Sequence, residues 1–262
     1  MPTVTLQDGE LHYQLEGQSS LPVLVLSNSL GTHLGMWDAQ IPALTEQFQV
    51  LRYDTRGHGR SLVSPGPYSI EQHARDVLAL LDALGIEQAN FCGLSMGGLI
   101  GQWLLLNAPH RLKRVVLCNT AAKIASPEVW NPRIETVLRE GAPAMVALRE
   151  ATVARWFTST FTQDNPEEVN RLVDMLATTS PEGYAANCAA VRDADFRTQI
   201  GLAKLPVLLV CGKADPVTSV ADGEFLREAI EGAQLVELTA AHLSNVEAGK
   251  AFSAQVLQFL LR

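Results

Sequence analysis

Asn90-Phe91-Cys92-Gly93-Leu94-Ser95-Met96-Gly97-Gly98 carries the pattern G-x-S-x-G where an apolar run, 89–92, gives way to a small-residue helical stretch, 96–107. A serine in that setting sits on a sharp strand-to-helix turn, with glycines where a Cβ would collide. The turn lifts the hydroxyl above the sheet and places it at a helix N-terminus, where the Met96 N–H is free to hold a developing oxyanion. Gly, Ser and Gly also meet in plain turns, so the pattern gains its meaning from the rest of the chain.

Outward from this turn the sequence alternates. Continuous apolar runs recur at 22–28, 48–53, 112–118, 205–211 and 233–238, the signature of strands buried on both faces of a parallel sheet. A period-two pattern at 3–6 and 11–15, broken by Asp8-Gly9, reads as a β-hairpin. Helical patterns lie between the runs. The stretch 70–84 aligns Ala74, Val77, Leu78, Leu81 and Leu84 on one face and closes with Gly85 as a C-cap; 221–230 and 248–261 are amphipathic. Strand and helix alternating in this way predict an α/β fold, a doubly wound sheet whose ligands bind beyond the strands' carboxyl ends.

The alternation stops between residues 122 and 204, where the patterns at 132–140, 144–157, 166–178 and 182–193 are all helical. The expected organisation is a core domain of residues 1–121 and 205–262, with a helical cap, 122–204, lying over the mouth of the sheet.

Composition narrows the chemistry. The 262 residues are 47% hydrophobic with a net charge of −8, enough apolar matter for one sizeable core. An acidic balance argues against nucleic acid and against anionic membrane surfaces as partners. The first residues lack a basic region followed by an apolar stretch, and no apolar run approaches the roughly 18 residues of a membrane span, so a cytoplasmic protein is expected. Cys92, Cys118, Cys188 and Cys211 lack C-x-x-C spacing, and three fall in strand-like runs; they read as small core residues rather than as a disulfide, metal site or nucleophile. No cluster has metal-ligand spacing and no G-x-G-x-x-G occurs, so neither a metal nor an organic cofactor is expected.

A serine hydroxyl is a poor nucleophile near neutral pH unless a base takes its proton and a carboxylate orients that base. In folds of this kind the chain order is Ser, then Asp or Glu, then His. Ser95 is followed by Asp215, just past the run ending Val210-Cys211-Gly212, and by His242, just past the last strand-like run. All three are expected at one rim of one sheet. Asp215-Pro216 also fits a turn initiator, and His242 an exposed loop histidine. The second oxyanion donor is expected in Ser27-Asn28-Ser29-Leu30-Gly31-Thr32, with the Leu30 N–H chosen over its neighbour Ser29. His12, His73 and His110 read as solvated surface, whereas His33 and His58 follow early strand ends and could approach the site. Asp54-Thr55-Arg56-Gly57-His58-Gly59-Arg60-Ser61 is Gly-rich and basic but lacks a phosphate-loop pattern, so it reads as a turn whose Asp and Arg side chains tie loops together.

With these residues in place the chain resembles the α/β-hydrolase superfamily along its length, and more narrowly the 3-oxoadipate enol-lactonases of aromatic-acid breakdown through the β-ketoadipate pathway. The narrower likeness rests on Asn28-Ser29-Leu30 and on His242-Leu243-Ser244-Asn245, since the Asp54–Ser61 and Gly93–Gly98 segments recur in many related hydrolases. The resemblance implies a mostly parallel eight-stranded sheet flanked by helices, a cap inserted after strand 6, a Ser95–His242–Asp215 triad and no cofactor. The substrate so implied is a small anionic lactone, whose carboxylate an acidic protein must meet locally. Trp130, Arg133, Arg149, Arg155, Trp156 and Arg192 lie in the expected cap. Arg133 is the first-helix candidate, with Trp130 three residues before it and Trp156 as an apolar wall; each also admits a packing or surface role. Other esterases, C–C bond hydrolases or perhydrolases would use the same triad, and a ligand receptor on this scaffold could retain it without turnover.

Overall fold

The computed structural model describes residues 2–262. Its strands are β1 Thr3–Leu6, β2 Gly9–Glu16, β3 Val23–Ser27, β4 Gln49–Tyr53, β5 Ala89–Leu94, β6 Leu112–Cys118, β7 Val207–Gly212 and β8 Gln234–Leu238. They form one eight-stranded sheet in the order β1-β2-β4-β3-β5-β6-β7-β8. The hairpin pairs Val4 with Leu11 and Leu6 with Gly9, and β2 runs antiparallel to β4; from β4 to β8 every pairing is parallel. This is the expected α/β fold, and the uniformly apolar runs have the expected cause: every residue of β5 and β7 is buried. Edge strand β8 is largely part-exposed, and its sequence accordingly sets the polar, exposed Gln234 and Glu237 among apolar Leu235, Val236 and Leu238.

The helices are α1 Ile41–Leu44, α2 Ile70–Ala83, α3 Met96–Asn107, α4 Pro127–Glu140, α5 Ala142–Ala147, α6 Arg149–Trp156, α7 Ser159–Asp164, α8 Pro166–Ala177, α9 Pro181–Asp193, α10 Val220–Ala229, α11 Ser244–Glu247 and α12 Gly249–Leu260. Helix α3 packs on β5 and β6, while α10 and α12 pack on β7 and β8. The small residues of α3 permit that closeness: a Cβ on Gly101 would fall 2.8 Å from Leu117 Cδ2 and 2.9 Å from Phe91 Cε1.

Among the described residues the chain between β6 and β7 contains no strand; α4 packs on α9, and α5 and α6 pack on α8. Its first helix starts at Pro127 and runs through Pro132, five residues before the expected start. Pro132 reads as a breaker, but Ser126 and Pro127 supply the true N-terminal signals, and burial of Trp130 with its indole N–H on the Ile124 carbonyl (2.8 Å) holds the first turn. The stretch expected as one helix over 144–157 breaks at Leu148 into α5 and α6 without a Gly or Pro to mark it. Helix α7 was not anticipated from its Ser-Thr-rich sequence; the Thr158 side chain caps it by accepting from the Phe161 N–H.

Two histidines depart from the surface reading. His12 is buried because its strand face is covered by the loop after β4, where its Nδ1 pairs with Asp54 at 2.9 Å. His73 lies wholly inside, edge-on to Tyr68 with centroids 5.8 Å apart. His110 is exposed, as expected. Arg56 makes the expected ties, pairing with Asp76 and Asp8 at 2.6 Å each. All four cysteines are buried and free.

Candidate active site

Ser95 joins β5 to α3 with φ 58 and ψ −111, one of three non-glycine residues at positive φ among the described residues. Backbone in this region is strained for an L-residue and persists only where the surroundings over-determine it. Here they do. A Cβ on Gly93 would lie 2.1 Å from the Gly97 carbonyl oxygen, and one on Gly97 would lie 2.2 Å from the Ser27 carbonyl oxygen. The Ser95 N–H donates to the Cys118 carbonyl (2.9 Å), its own carbonyl accepts from Thr120 Oγ1 (2.9 Å), and the Gly97 N–H donates to the Asn28 carbonyl (3.0 Å). The elbow is thereby bonded to both neighbouring strand ends.

Asp215 and His242 arrive from the ends of β7 and β8, and His242 Nδ1 lies 2.8 Å from Asp215 Oδ2. The Asp215 side chain is fully buried, and each of its oxygens meets donors. Oδ1 accepts from the Val217 and Thr218 N–H groups (2.8 and 3.1 Å), while Oδ2 accepts from Thr218 Oγ1 (2.8 Å) and Asn119 Nδ2 (3.0 Å) besides the imidazole. Burial pushes the carboxyl pKa up, but the His242 charge and hydrogen bond, together with Asn119 and the Val217 amide, outweigh it and hold Asp215 below the ordinary carboxylate value. The carboxylate is therefore ionised at neutral pH and poised to orient the ring.

Ser95 and His242 both line one cavity, with Ser29, Leu30, Ile124, Trp130, Arg133, Thr152, Arg155, Trp156, Leu176, Tyr184, Val191 and Val217 as its other walls. About 50 Å³ of it is open to the centre of a water-sized sphere. By that measure one water needs roughly 10–15 Å³, so the space as it stands is a narrow one that holds a few waters. The expected oxyanion donors occupy the same corner. Leu30 lines the cavity, and Met96 follows Ser95 as the first residue of α3. The N–H of Ser29, the alternative donor, is already directed at Met36 Sδ (3.3 Å), whereas among the described residues no acceptor takes the N–H of Leu30 or of Met96.

The arginines of α4, α6 and α9 separate by environment. Arg149 is paired with Asp174, and Arg192 with Asp193. Arg133 and Arg155 line the cavity, and among the described residues neither has a carboxylate partner. Arg133 lies over the Trp130 ring at 5.0 Å, and Arg155 donates to Thr152 Oγ1 at 2.8 Å. Burial and the facing Arg133 cation both lower the Arg155 pKa, the mark of a positive charge held without a counter-ion. Trp130 and Trp156 are 5% exposed and form apolar wall. Arg133, Trp130 and Trp156, singled out from the sequence, thus line the same cavity as Ser95 and His242, whereas the sequence reading sets Arg155 no higher than its outward-facing neighbours. It also misses Asn119, whose backbone adopts φ 43 and whose side chain bridges Asp215, the Ala241 carbonyl (3.2 Å) and Ser244 Oγ (2.5 Å). A polar Asn-Thr pair directly after the apolar run of β6 is the signal that could have marked it.

The His242 loop is tied to the segment before α1 and to the helical insertion. The Ala241 N–H donates to Glu247 Oε2 (2.9 Å), Glu247 also accepts from Thr158, and the Leu243 N–H donates to the Trp156 carbonyl (3.0 Å). Asn245 Nδ2 donates to the Met36 carbonyl (2.9 Å), and Gln40 Nε2 to the Asn245 carbonyl (2.6 Å). Among the described residues no three His, Cys, Asp or Glu side chains gather as metal ligands, and no helix is long and apolar enough to cross a membrane.

A family described as alpha/beta hydrolase fold matches residues 22–248. Two curated relatives from Acinetobacter baylyi, 3-oxoadipate enol-lactonase 2 and 3-oxoadipate enol-lactonase 1, are 47% and 41% identical, spanning 97% and 95% of this chain and 94% and 92% of their own. The crystal structure of the enol-lactonase from Burkholderia xenovorans, 47% identical, superposes over the full length of both chains with a TM-score of 0.97. On the match to the family and the end-to-end likeness to these relatives, the chain belongs to the alpha/beta hydrolases and resembles their 3-oxoadipate enol-lactonase members.

Proposed function

We propose that this chain is a serine hydrolase that opens the ring of a small enol-lactone bearing a carboxylate, 3-oxoadipate enol-lactone being the substrate its relatives' names point to. The observation that carries the reading is one cavity holding Ser95, the Asp215-oriented His242 and two guanidiniums without carboxylate partners. The α4–α9 helices act as its cap, since they contribute Trp130, Arg133, Arg155, Trp156 and Tyr184 to the walls.

His242 takes the Ser95 proton as the serine oxygen bonds to the lactone carbonyl carbon, and the Leu30 and Met96 N–H groups receive the charge that develops on the carbonyl oxygen. The ring C–O bond then breaks, and the imidazolium gives its proton to the leaving enol oxygen. An enol leaves more readily than an ordinary alkoxide and tautomerises to the ketone. It stays tethered through the acyl group. Water, deprotonated by His242, attacks the acyl-enzyme; the Ser95–acyl bond breaks, and serine regains its proton from His242. Arg133 and Arg155 hold the carboxylate that the substrate carries throughout, with Trp156 as the apolar wall.

Loss of freshly generated enol-lactone, followed spectrophotometrically beside phenyl acetate, tests the proposal. We expect kcat/KM to favour the lactone by orders of magnitude, and Ser95→Ala to lower kcat about a million-fold. Equal rates on both substrates, or a Ser95→Ala enzyme with most of its turnover, would refute it.

A further inference from the structure

His58 takes no part in the steps above, yet it is 2% exposed and its ring closes onto the loop that carries Leu30. Its Nε2 lies 2.9 Å from the Gly31 nitrogen. An amide N–H only donates, so Nε2 accepts, and the neutral ring carries its proton on Nδ1. Burial depresses the His58 pKa to about 4, against the opposing pull of the Arg56 backbone and of Asp54, so the ring remains an acceptor at neutral pH. His33 faces it from the loop after β3, and His73 from α2.

The consequence lies in the two peptide planes that meet at Leu30. The first joins Ser29 to Leu30: its carbonyl accepts from the Thr32 N–H (3.2 Å) and from Thr32 Oγ1 (2.8 Å), and its other end is the Leu30 N–H. The second joins Leu30 to Gly31, and its N–H is the group His58 holds. Peptide planes are rigid, so fixing both leaves the Leu30 N–H one direction. Gly31 reverses the chain here at φ 81, where a Cβ would meet Leu176 Cδ1 at 2.7 Å. His58 itself rides on a turn with little freedom. Its N–H donates to the Thr55 carbonyl (2.9 Å), its carbonyl accepts from the Ser61 N–H (3.1 Å), and a Cβ on Gly59 would lie 2.4 Å from Asp54 Oδ2.

We infer that His58 is a positioning residue for the oxyanion hole: by accepting the Gly31 N–H it aims the Leu30 N–H at the space before Ser95 ahead of any substrate. The inference rests on the serine-hydrolase reading of Ser95. A donor held in place beforehand stabilises the transition state without reorganisation, and loss of one such donor typically lowers kcat about 10²–10³-fold.

The test compares His58→Leu, His58→Gln and His58→Asn. The Gln Oε1 reaches the position of Nε2 and can accept from Gly31; the shorter Asn and the apolar Leu cannot. Three quantities are measured: kcat and KM on the enol-lactone, affinity for the product 3-oxoadipate, and the inhibition constant of an aryl trifluoromethyl ketone. The ketone adds to serine as a hemiketal bearing an oxyanion. We expect the Leu and Asn variants to lose about 10–100-fold in kcat and in ketone affinity together, with KM and product affinity within about threefold. The Gln variant should recover most of the loss. Equal loss of product and ketone affinity, or a Gln variant no better than Asn, would overturn the inference. Where the variants fail to fold, nitrogen NMR of the native ring decides: Nδ1–H with a bare Nε2 is expected, and an Nε2–H tautomer overturns it. A native enzyme that binds the ketone no better than Ser95→Ala does would instead bring down the reading of Ser95, and this inference with it.

Discussion

Replacing Asp215 by Asn changes one atom in size and shape hardly at all, yet the surroundings make its effect severe. Oδ1 is fixed by two backbone donors, Val217 and Thr218, at 2.8 and 3.1 Å, and only a carbonyl oxygen can stay there. The new NH2 must then occupy the Oδ2 position, where it faces Asn119 Nδ2 at 3.0 Å and His242 Nδ1 at 2.8 Å. Thr218 can turn its hydroxyl to accept; Asn119 is already committed through its Oδ1 to Ser244 and through its amide to the Ala241 carbonyl. His242 must therefore accept at Nδ1, which puts the ring proton on Nε2, the nitrogen that should receive the proton of Ser95. The wrong tautomer costs a serine protease triad about 10⁴ in kcat, or about 5 kcal/mol of barrier. The same loss is expected here, with KM nearly unchanged and the thermal melt within a few degrees. Steady-state kinetics on the enol-lactone reads it, and Asp215→Ala, which removes the misdirecting donor, should recover part of the rate. An Asn variant with a tenth or more of native kcat would show that Asp215 does not set the tautomer.

Arg133→Leu and Arg155→Leu should each raise KM for the anionic lactone about 10–100-fold, as expected for loss of a charged hydrogen bond, while KM for a neutral aryl ester moves little; parallel changes on both substrates would remove the pair from the anion site. Gly97→Ala should destabilise the fold by about 1–3 kcal/mol and cut activity besides, because the new methyl would press on the Ser27 carbonyl at 2.2 Å; unaltered melting would deny that contact. His73 is buried, and burial, with the nearby His58 and Arg56, outweighs the pull of Asn187 and lowers its pKa to about 3, so the unfolded chain takes up the proton first and stability falls as pH drops from about 6.5 towards 3. His73→Phe should flatten urea-derived stability against pH between 6 and 4 by on the order of 1 kcal/mol per pH unit; an unchanged slope would contradict it.

The strands were legible because the parallel ones are predominantly apolar, with β5 and β7 buried along their whole length, and the serine elbow because its glycines answer to carbonyl contacts near 2 Å. The convergence of Asp215 and His242 followed from chain order, since both end a strand at the same rim. Asn119 was harder to read: the polar pair after β6 marks the position, but its partners come from the loops after β7 and β8, 96 and 122 residues away, so its role shows only in the fold. Among the arginines, helical periodicity could show that a face exists but not which one meets the cavity, so Arg149, Arg155 and Arg192 looked alike until the insertion was folded. His12 and His73 failed on the general rule that lone histidines are solvated. One is claimed by a buried carboxylate, and the other is enclosed where α2 meets the turn after β4.

The loop bearing His242 is not a ladder strand, so side chains and single amides must hold it. Glu247 accepts from the Ala241 N–H on one side and from Thr158 on the other, and the Leu243 N–H is taken by the carbonyl of Trp156, a cavity wall. Each such bond contributes only about 1 kcal/mol to stability, but a misplacement of about 1 Å at a reacting group can cost 10²-fold in rate. The backbone of a cavity wall is thus bonded, one residue along, to His242. A side-chain substitution at Trp156 keeps that carbonyl, so the cavity can be reshaped there with the bond intact, whereas a shift of the α6 backbone moves wall and His242 loop together and couples ligand fit to alignment at this corner.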